Sequence, residues 1–312
     1  MKRFLKLLLW IFLVIFILFN FVSATNAYKF THFYNPGEVT IKLENQKTSW
    51  DKISDIIFGK DYLKKQNVPL PDSISTVIFT TKDKIKLEGW YSPAKNPVGS
   101  VALFHGYGDN KTNVLREGKA FLDMGYNVLL LDFRAHGNSE GHTCTIGYNE
   151  AEDVKLAFDF LKNRGEHNIV LWGISMGAAS VTHAVSEYHI QPTKVILEMP
   201  FATMENAVEG QVRLMHLPDE PLSTFLAFWG GAEHGFWAFK VNPDEYVKDI
   251  HCPVLLQVGA KDVRVTPEER QEVYENLNQP KQLIIYKNSG HESLLKKEPL
   301  KWLASVSAFL NS

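Results

Sequence analysis

The chain has 312 residues, a formal net charge of −2, 45% hydrophobic and 22% charged residues. That length suits one catalytic domain with appendages better than two independent domains, and the composition is globular rather than disordered. Acidic and basic residues are mixed, without the basic stripe that nucleic-acid binding requires, so nucleic acid is excluded as a partner. Cys144 and Cys252 are the two cysteines. A disulfide between them is open to a chain outside the cytoplasm, but two buried free thiols is the preferred reading. No Cys/His cluster has metal-ligand spacing, and neither a metal nor another cofactor is expected.

Lys2, Arg3 and Lys6 precede Leu7–Val22, an apolar run interrupted only by Asn20. As a helix this run spans about 24 Å, and adding Phe4 and Leu5, with Lys6 snorkelling, brings it near a hydrocarbon core of about 30 Å. Residues 1–24 therefore read as a signal peptide or an N-terminal membrane anchor. Small-residue sites at Val22-Ser-Ala24 and Thr25-Asn-Ala27 would permit cleavage and a secreted or periplasmic product. The retained anchor is preferred, with the positive flank in the cytoplasm and the body outside. Residues 25–74 form an N-terminal extension broken at Pro36-Gly37, Pro69 and Pro71. Within it, Ser49–Phe58 has a helical period, and packing on the domain is preferred to lying at the membrane.

From residue 75 to 312 the pattern is that of one domain. Two β runs, Thr76–Thr81 and Lys86–Ser92, form a leading hairpin. Strands at Val101–Phe104, Asn127–Asp132, 168–172 and Lys194–Glu198 then alternate with helices. The second helix carries Ala151, Val154, Phe158 and Leu161 at helical spacing. This alternation predicts an α/β fold, a mostly parallel central sheet with helices on both faces. Residues 201–246 break the alternation, are rich in aromatics, and read as a small helical lid insert. Further strands at Pro253–Val258 and Gln282–Tyr286 follow. Between them, Thr266-Pro267-Glu268-Glu269 is a helix start with a capping box.

The chemistry concentrates where strands end. The segment Gly173-x-Ser175-x-Gly177 lies between a strand and a small-residue helix, the context of a nucleophile elbow. Asp262 and His291 each follow a later strand, so all three fall on the carboxyl edge of a parallel sheet. A serine hydroxyl needs a base to become a nucleophile near neutral pH. His291 supplies it, and Asp262 orients the ring. Met176 N–H and, from the loop His105-Gly106-Tyr107-Gly108, Tyr107 N–H are the expected oxyanion donors.

These residues resemble the serine-nucleophile branch of the α/β-hydrolase fold superfamily, nearest to its serine-aminopeptidase-like and lysophospholipase-like bacterial hydrolases. The likeness runs from about Ser75 to Leu310 and includes Asp132-Phe-Arg134-Ala-His136-Gly137-Asn-Ser139. Ala135 stands where that group usually has glycine. Asp132, Arg134 and His136 are expected to anchor the loop rather than to catalyse.

The resemblance implies a serine hydrolase with a Ser-His-Asp triad. A carboxylester or lipid ester is the favoured substrate, on the strength of the apolar insert and the membrane segment. Phe201, Met204, Phe228 and Trp229 are the expected pocket residues. Peptidase or amidase activity, acyl transfer, and a non-catalytic binding module on the same fold are the alternatives. The sequence assigns no oligomeric state.

Overall fold

The computed structural model describes residues 1–70 and 74–312, so the predicted break at Pro71 lies outside the described residues. The chain opens with helix α1 (Lys2–Phe30), strand β1 (Phe33–Tyr34), helix α2 (Ser49–Phe58) and strand β2 (Tyr62–Leu63). The hairpin β3 (Ser75–Thr80) and β4 (Lys86–Ser92) follows. Next come β5 (Gly99–Phe104), α3 (Leu115–Asp123), β6 (Tyr126–Leu131), α4 (Glu150–Asn163), β7 (Ile169–Ile174), α5 (Met176–Tyr188) and β8 (Lys194–Glu198). The helices α6 (Met204–Leu214), α7 (Leu222–Glu233) and α8 (Pro243–Tyr246) interrupt the alternation. It resumes with β9 (Val254–Gly259), α9 (Pro267–Asn276), β10 (Lys281–Tyr286), α10 (Leu294–Lys297) and α11 (Pro299–Leu310).

Strands β3 to β10 make one eight-stranded sheet in the order β10-β9-β8-β7-β5-β6-β4-β3. Every pair from β10 to β6 is parallel, and β4 is antiparallel to both β6 and β3. Side chains of β5 alternate between two cores. Ala102 and Phe104 join the face that holds α4, α5 and the helices after β8, while Val101 and Leu103 join the face that holds α3 and α11. Helices thus cover both faces, and the central strands are apolar on both sides, as buried parallel strands must be. Strand β6 lies on one side of β5 and β7 on the other, so the chain reverses its direction of winding there. The loops leaving β5 and β7 diverge to opposite faces and open a crevice at their carboxyl ends, the place where open α/β sheets bind ligands.

Helix α1 is continuous for 29 residues, about 44 Å at 1.5 Å per residue. It is the one helix among the described residues long and apolar enough to cross a membrane. Its first two-thirds is exposed, and Ser23, Ala27 and the capping Thr31 are buried against the body. Polar side chains explain why the helix does not stop at its apolar end. Thr25 Oγ1 donates to Ile57 O (2.7 Å) and Asn26 Nδ2 to Ile56 O (3.0 Å), so α1 satisfies carbonyls left open at the end of α2. Asn20 is likewise satisfied: its Oδ1 accepts from Trp229 Nε1 of α7 at 3.2 Å. Helix α2 starts with a Thr48–Asp51 capping box and buries none of its residues. It packs on α1 rather than on the sheet, with Phe58 edge-on to Phe21.

Candidate active site

Ser175 sits between β7 and α5 with φ 54° and ψ −119°. A left-handed conformation at a non-glycine residue costs on the order of 1–3 kcal/mol and persists only where neighbours enforce it. Here Ser175 N donates to Glu198 O (2.8 Å), and Ala179 N donates to Ser175 O (3.0 Å). The flanking glycines permit the turn. A Cβ on Gly173 would lie 2.5 Å from the Gly177 carbonyl, and one on Gly177 would collide with Phe104 O. The elbow is therefore closed against the loop after β5, where a Cβ on Gly106 would lie 3.6 Å from Ser175 Cβ.

Asp262 follows β9. Its Oδ1 accepts from the backbone N–H of Arg264 (2.8 Å) and Val265 (3.1 Å). The next residues enter α9 through a capping box between Thr266 and Glu269, which fixes the loop from its far end. His291 follows β10. The two loops are tied by Ala260 N donating to Tyr286 O (2.8 Å) and Lys261 N to Ser289 O (2.9 Å). The result is one line of hydrogen bonds. Asp262 Oδ2 meets His291 Nδ1 at 2.8 Å, and His291 Nε2 meets Ser175 Oγ at 2.9 Å. The Asp262 side chain is 2% exposed and that of His291 11%, so the line runs from interior to surface. Burial pushes the Asp262 carboxyl up, but the hydrogen bonds from His291, Val265 and Arg264 outweigh it and hold the group below its ordinary range. Asp262 is therefore ionised wherever the protein is folded near neutral pH.

Around this line stands a second set of buried groups. His105 Nδ1 faces Gly106 O (2.8 Å), and its Nε2 accepts from Phe133 N (3.1 Å). His136 Nδ1 faces Arg134 O (2.9 Å), and its Nε2 accepts from Gly108 N (3.1 Å). Burial pulls both imidazoles down to about 4, so both are neutral and each donates at Nδ1 and accepts at Nε2. They brace the loop that carries Tyr107 from both sides. Asp132, Arg134 and His136 act as anchors here. Asp132 accepts from Lys111 N (2.7 Å) and Asn138 N (2.8 Å), and Arg134 is paired with Asp153 and Glu152. Ala135 has φ 62°, which accounts for the glycine usual in similar chains.

Met176 is the first residue of α5, so its N–H has no intrahelical partner. Its Sδ lies 3.5 Å from Cys144 Sγ; Cys144 and Cys252 are both free thiols. The Tyr107 ring stacks on Phe30 at 4.6 Å between centroids, and its hydroxyl donates to Phe30 O at the end of α1. Behind the elbow, Glu198 Oε1 accepts from Trp172 Nε1 (3.0 Å), Trp302 Nε1 (2.6 Å) and Gln257 Nε2 (3.0 Å). Burial, reinforced by the nearby Glu117, raises this acid to about 8, so it is neutral at pH 7.

A cavity of about 720 Å³ lies beneath α6 and α7, within the range of small-molecule sites. Its walls come from α1, α2, α6, α7 and the Thr145–Ile146 turn. Of the four residues expected in a pocket, Met204 lines it. Phe201 is buried in the core, Phe228 is exposed beside Trp237, and Trp229 is turned toward Asn20. The contribution of α1 and α2 to the cavity, and the bracing by His105 and His136, were not apparent in the sequence. Asn20, a lone polar residue in an apolar run, was the available sign that α1 has a partner.

Residues 95–227 match the family model for serine aminopeptidase S33. The chain is 28% identical over 230 residues to the uncharacterized protein YqkD of Bacillus subtilis, covering 72% of this chain and 75% of that one. It is 28% identical over 194 residues to the lysophosphatidylserine lipase ABHD12 of Macaca fascicularis, covering 57% of this chain and 45% of that one. Among solved structures, the Pyrococcus furiosus esterase Pf2001 superposes with a TM-score of 0.65 at 27% identity, over 80% of this chain and 96% of that one. An esterase from Exiguobacterium antarcticum superposes with a TM-score of 0.58 over 76% of this chain and all (100%) of its own, at 17% identity. That last likeness is one of fold alone.

Proposed function

Because the chain belongs to the α/β-hydrolase superfamily, we propose that it is a serine hydrolase cleaving a carboxylic ester through an acyl-enzyme. The observation that carries this reading is the unbroken line Asp262–His291–Ser175, with both hydrogen bonds under 3 Å. His291 Nε2 takes the Ser175 proton as Oγ attacks the ester carbonyl carbon. The resulting oxyanion lies against the N–H groups of Tyr107 and Met176. Collapse expels the alcohol, which takes the proton back from His291. Water then attacks the acyl-enzyme with the same base, releasing the carboxylic acid and regenerating Ser175. Asp262 holds Nδ1–H and offsets the charge on the imidazolium. It costs nothing to ionise, because its carboxylate is already stabilised.

The aminopeptidase family model supports a peptidase as the second reading, but the apolar cavity suits an acyl chain better than a peptide N-terminus. The proposed catalytic domain takes residues 75–312, with 201–246 as its lid. Residues 1–24 remain as an anchor, the positive flank of Lys2, Arg3 and Lys6 places the N-terminus in the cytoplasm, and the body stands outside. A fluorophosphonate probe tests the nucleophile. The wild type should be labelled at Ser175 and should turn over p-nitrophenyl esters, and Ser175→Ala should do neither. Labelling or turnover that survives the substitution overturns the assignment.

A further inference from the structure

Three features of the cavity converge. The first is its position along α1. A hydrocarbon core of about 30 Å takes up roughly 20 helical residues. Counted from Lys6, these end near Asn26, and the α1 residues that line the cavity are Val22, Asn26, Ala27, Lys29 and Phe30. The α1 part of the lining therefore falls at the edge of such a span, while α7, packed on Phe16 and Phe19 through Phe225, reaches further along it.

The second is its mouth. Ile56, Met215 and Leu217 both line the cavity and are exposed, at 69%, 49% and 47%. Around them Trp50, Ile53, Phe58 and Leu214 are exposed as well. The same side carries the exposed apolar stretch of α1, flanked by α2 through Phe58 and by α7 through Phe225, which packs on Phe16 and Phe19. Lys29, Glu44, Lys52, Asp55 and Lys60 line the cavity too, so exposed apolar side chains, a tryptophan among them, alternate with charged ones beside an apolar helix, a mixture suited to a membrane interface.

The third is its inner end. Phe30 lines the cavity and stacks on Tyr107, and Cys144, just before the lining residues Thr145 and Ile146, touches Met176. The Phe30 ring thus stands between the cavity and Tyr107, and Cys144 links the Thr145–Ile146 turn to the Met176 side chain; Ser175 itself is not part of the lining.

We infer that this cavity binds the acyl chain of a membrane lipid ester, which enters from the bilayer beside α1 and presents its carbonyl to Ser175. The inference rests on the hydrolase reading for the last step only. The anchor helix is then a wall of the substrate site, and α2 and the tip between α6 and α7 rest on the lipid surface.

Gly230 offers the test. It lines the cavity, and a Cβ built there meets nothing within 4 Å, so the first atom of a larger side chain has room; Gly230→Phe is the variant, with its fold checked by circular dichroism. The full-length protein would be placed in dioleoylphosphatidylcholine vesicles with a lysophosphatidylcholine whose palmitoyl-length chain carries a diazirine. Irradiation should label peptides from 22–30 and from α6 and α7, and Gly230→Phe should weaken that labelling roughly tenfold. In parallel, the ratio of kcat/KM for p-nitrophenyl palmitate to that for the butyrate should fall roughly tenfold in the variant. Label confined to Phe4–Leu18, or label and ratio both indifferent to Gly230→Phe, overturns the inference. Cavity labelling in a protein that cleaves neither ester upholds the acyl site and removes the ester-hydrolase reading instead.

Discussion

The carboxyl edge of the sheet and the cavity under α6 and α7 are neighbours built on opposite principles. At the sheet edge the polar groups around Ser175 are held by specific hydrogen bonds: Asp262 meets two backbone N–H groups and His291, and His105 and His136 fix a loop from either side. In the cavity the walls are mostly apolar, and order comes from shape and from helices that meet across the chain. Removing one atom at the edge strands a buried partner, so function there fails sharply. A change of volume in the cavity alters which substrate fits and leaves the chemistry intact. On the proposed reading, reactivity and selectivity are carried by separate parts of the molecule.

Four substitutions sharpen or break that contrast. Ser175→Ala should lower esterase turnover by about 10⁴-fold or more. Its melting temperature, read by circular dichroism, should stay within a few degrees of the wild type. A large loss of stability would mean that the elbow is held by the hydroxyl rather than by the backbone bonds to Glu198 and Ala179. Glu198→Gln should act through pH. Below the ordinary value of 4.5 the acid is protonated folded or unfolded; between there and about 8 the folded form keeps a proton the unfolded form has released. Folding stability therefore falls as pH rises across that window, by up to roughly 1 kcal/mol per unit. The glutamine variant lacks this slope, so urea titrations should show it gaining on the wild type from pH 5 to 8. Parallel pH profiles would contradict a neutral Glu198.

Tyr107→Phe removes the donor to Phe30 O, at a cost of about 1 kcal/mol in stability. It should also loosen the loop that supplies an oxyanion donor. The expected signature is a lower kcat for short esters at unchanged KM; a change in KM alone would place Tyr107 in substrate binding instead. The smallest effect is expected from Trp229→Phe, which leaves Asn20 without its partner. It should weaken the docking of α1 by about 1 kcal/mol or less, because the Asn20 amide is also engaged with Phe16 O. Faster hydrogen exchange along 20–30, with turnover of short esters retained, would show it.

Why the two regions were unequally legible follows from the same contrast. The strand ends, the Gly173–Gly177 turn and the Thr266–Glu269 cap are local patterns, in which residue type and spacing determine the geometry within a few positions. The alternation of strands and helices from Ser75 onward is local too, and it forms the mostly parallel sheet that it predicts. The cavity joins segments some 200 positions apart, as the Asn20–Trp229 bond shows. No periodicity within either helix announces such a meeting.

One clue lay within α7. Leu222, Leu226 and Gly230, spaced by four, face the cavity, while Phe225 and Trp229, also spaced by four, face α1. Expecting the pocket at Phe228 and Trp229 gave weight to the large aromatics. The positions that shape an empty volume are the ones whose side chains leave room, and Gly230 is the clearest of them.

The contact between Tyr107 and the last carbonyl of α1 has one more consequence. A peptidase cutting after Ala24 or Ala27 would remove Val22 and part of the cavity wall together with the membrane segment. If the proposed anchor and acyl site hold, leaving the bilayer and losing long-chain lipid as a substrate would be a single event. A body freed in this way would retain its chemistry on short soluble esters and lose its address.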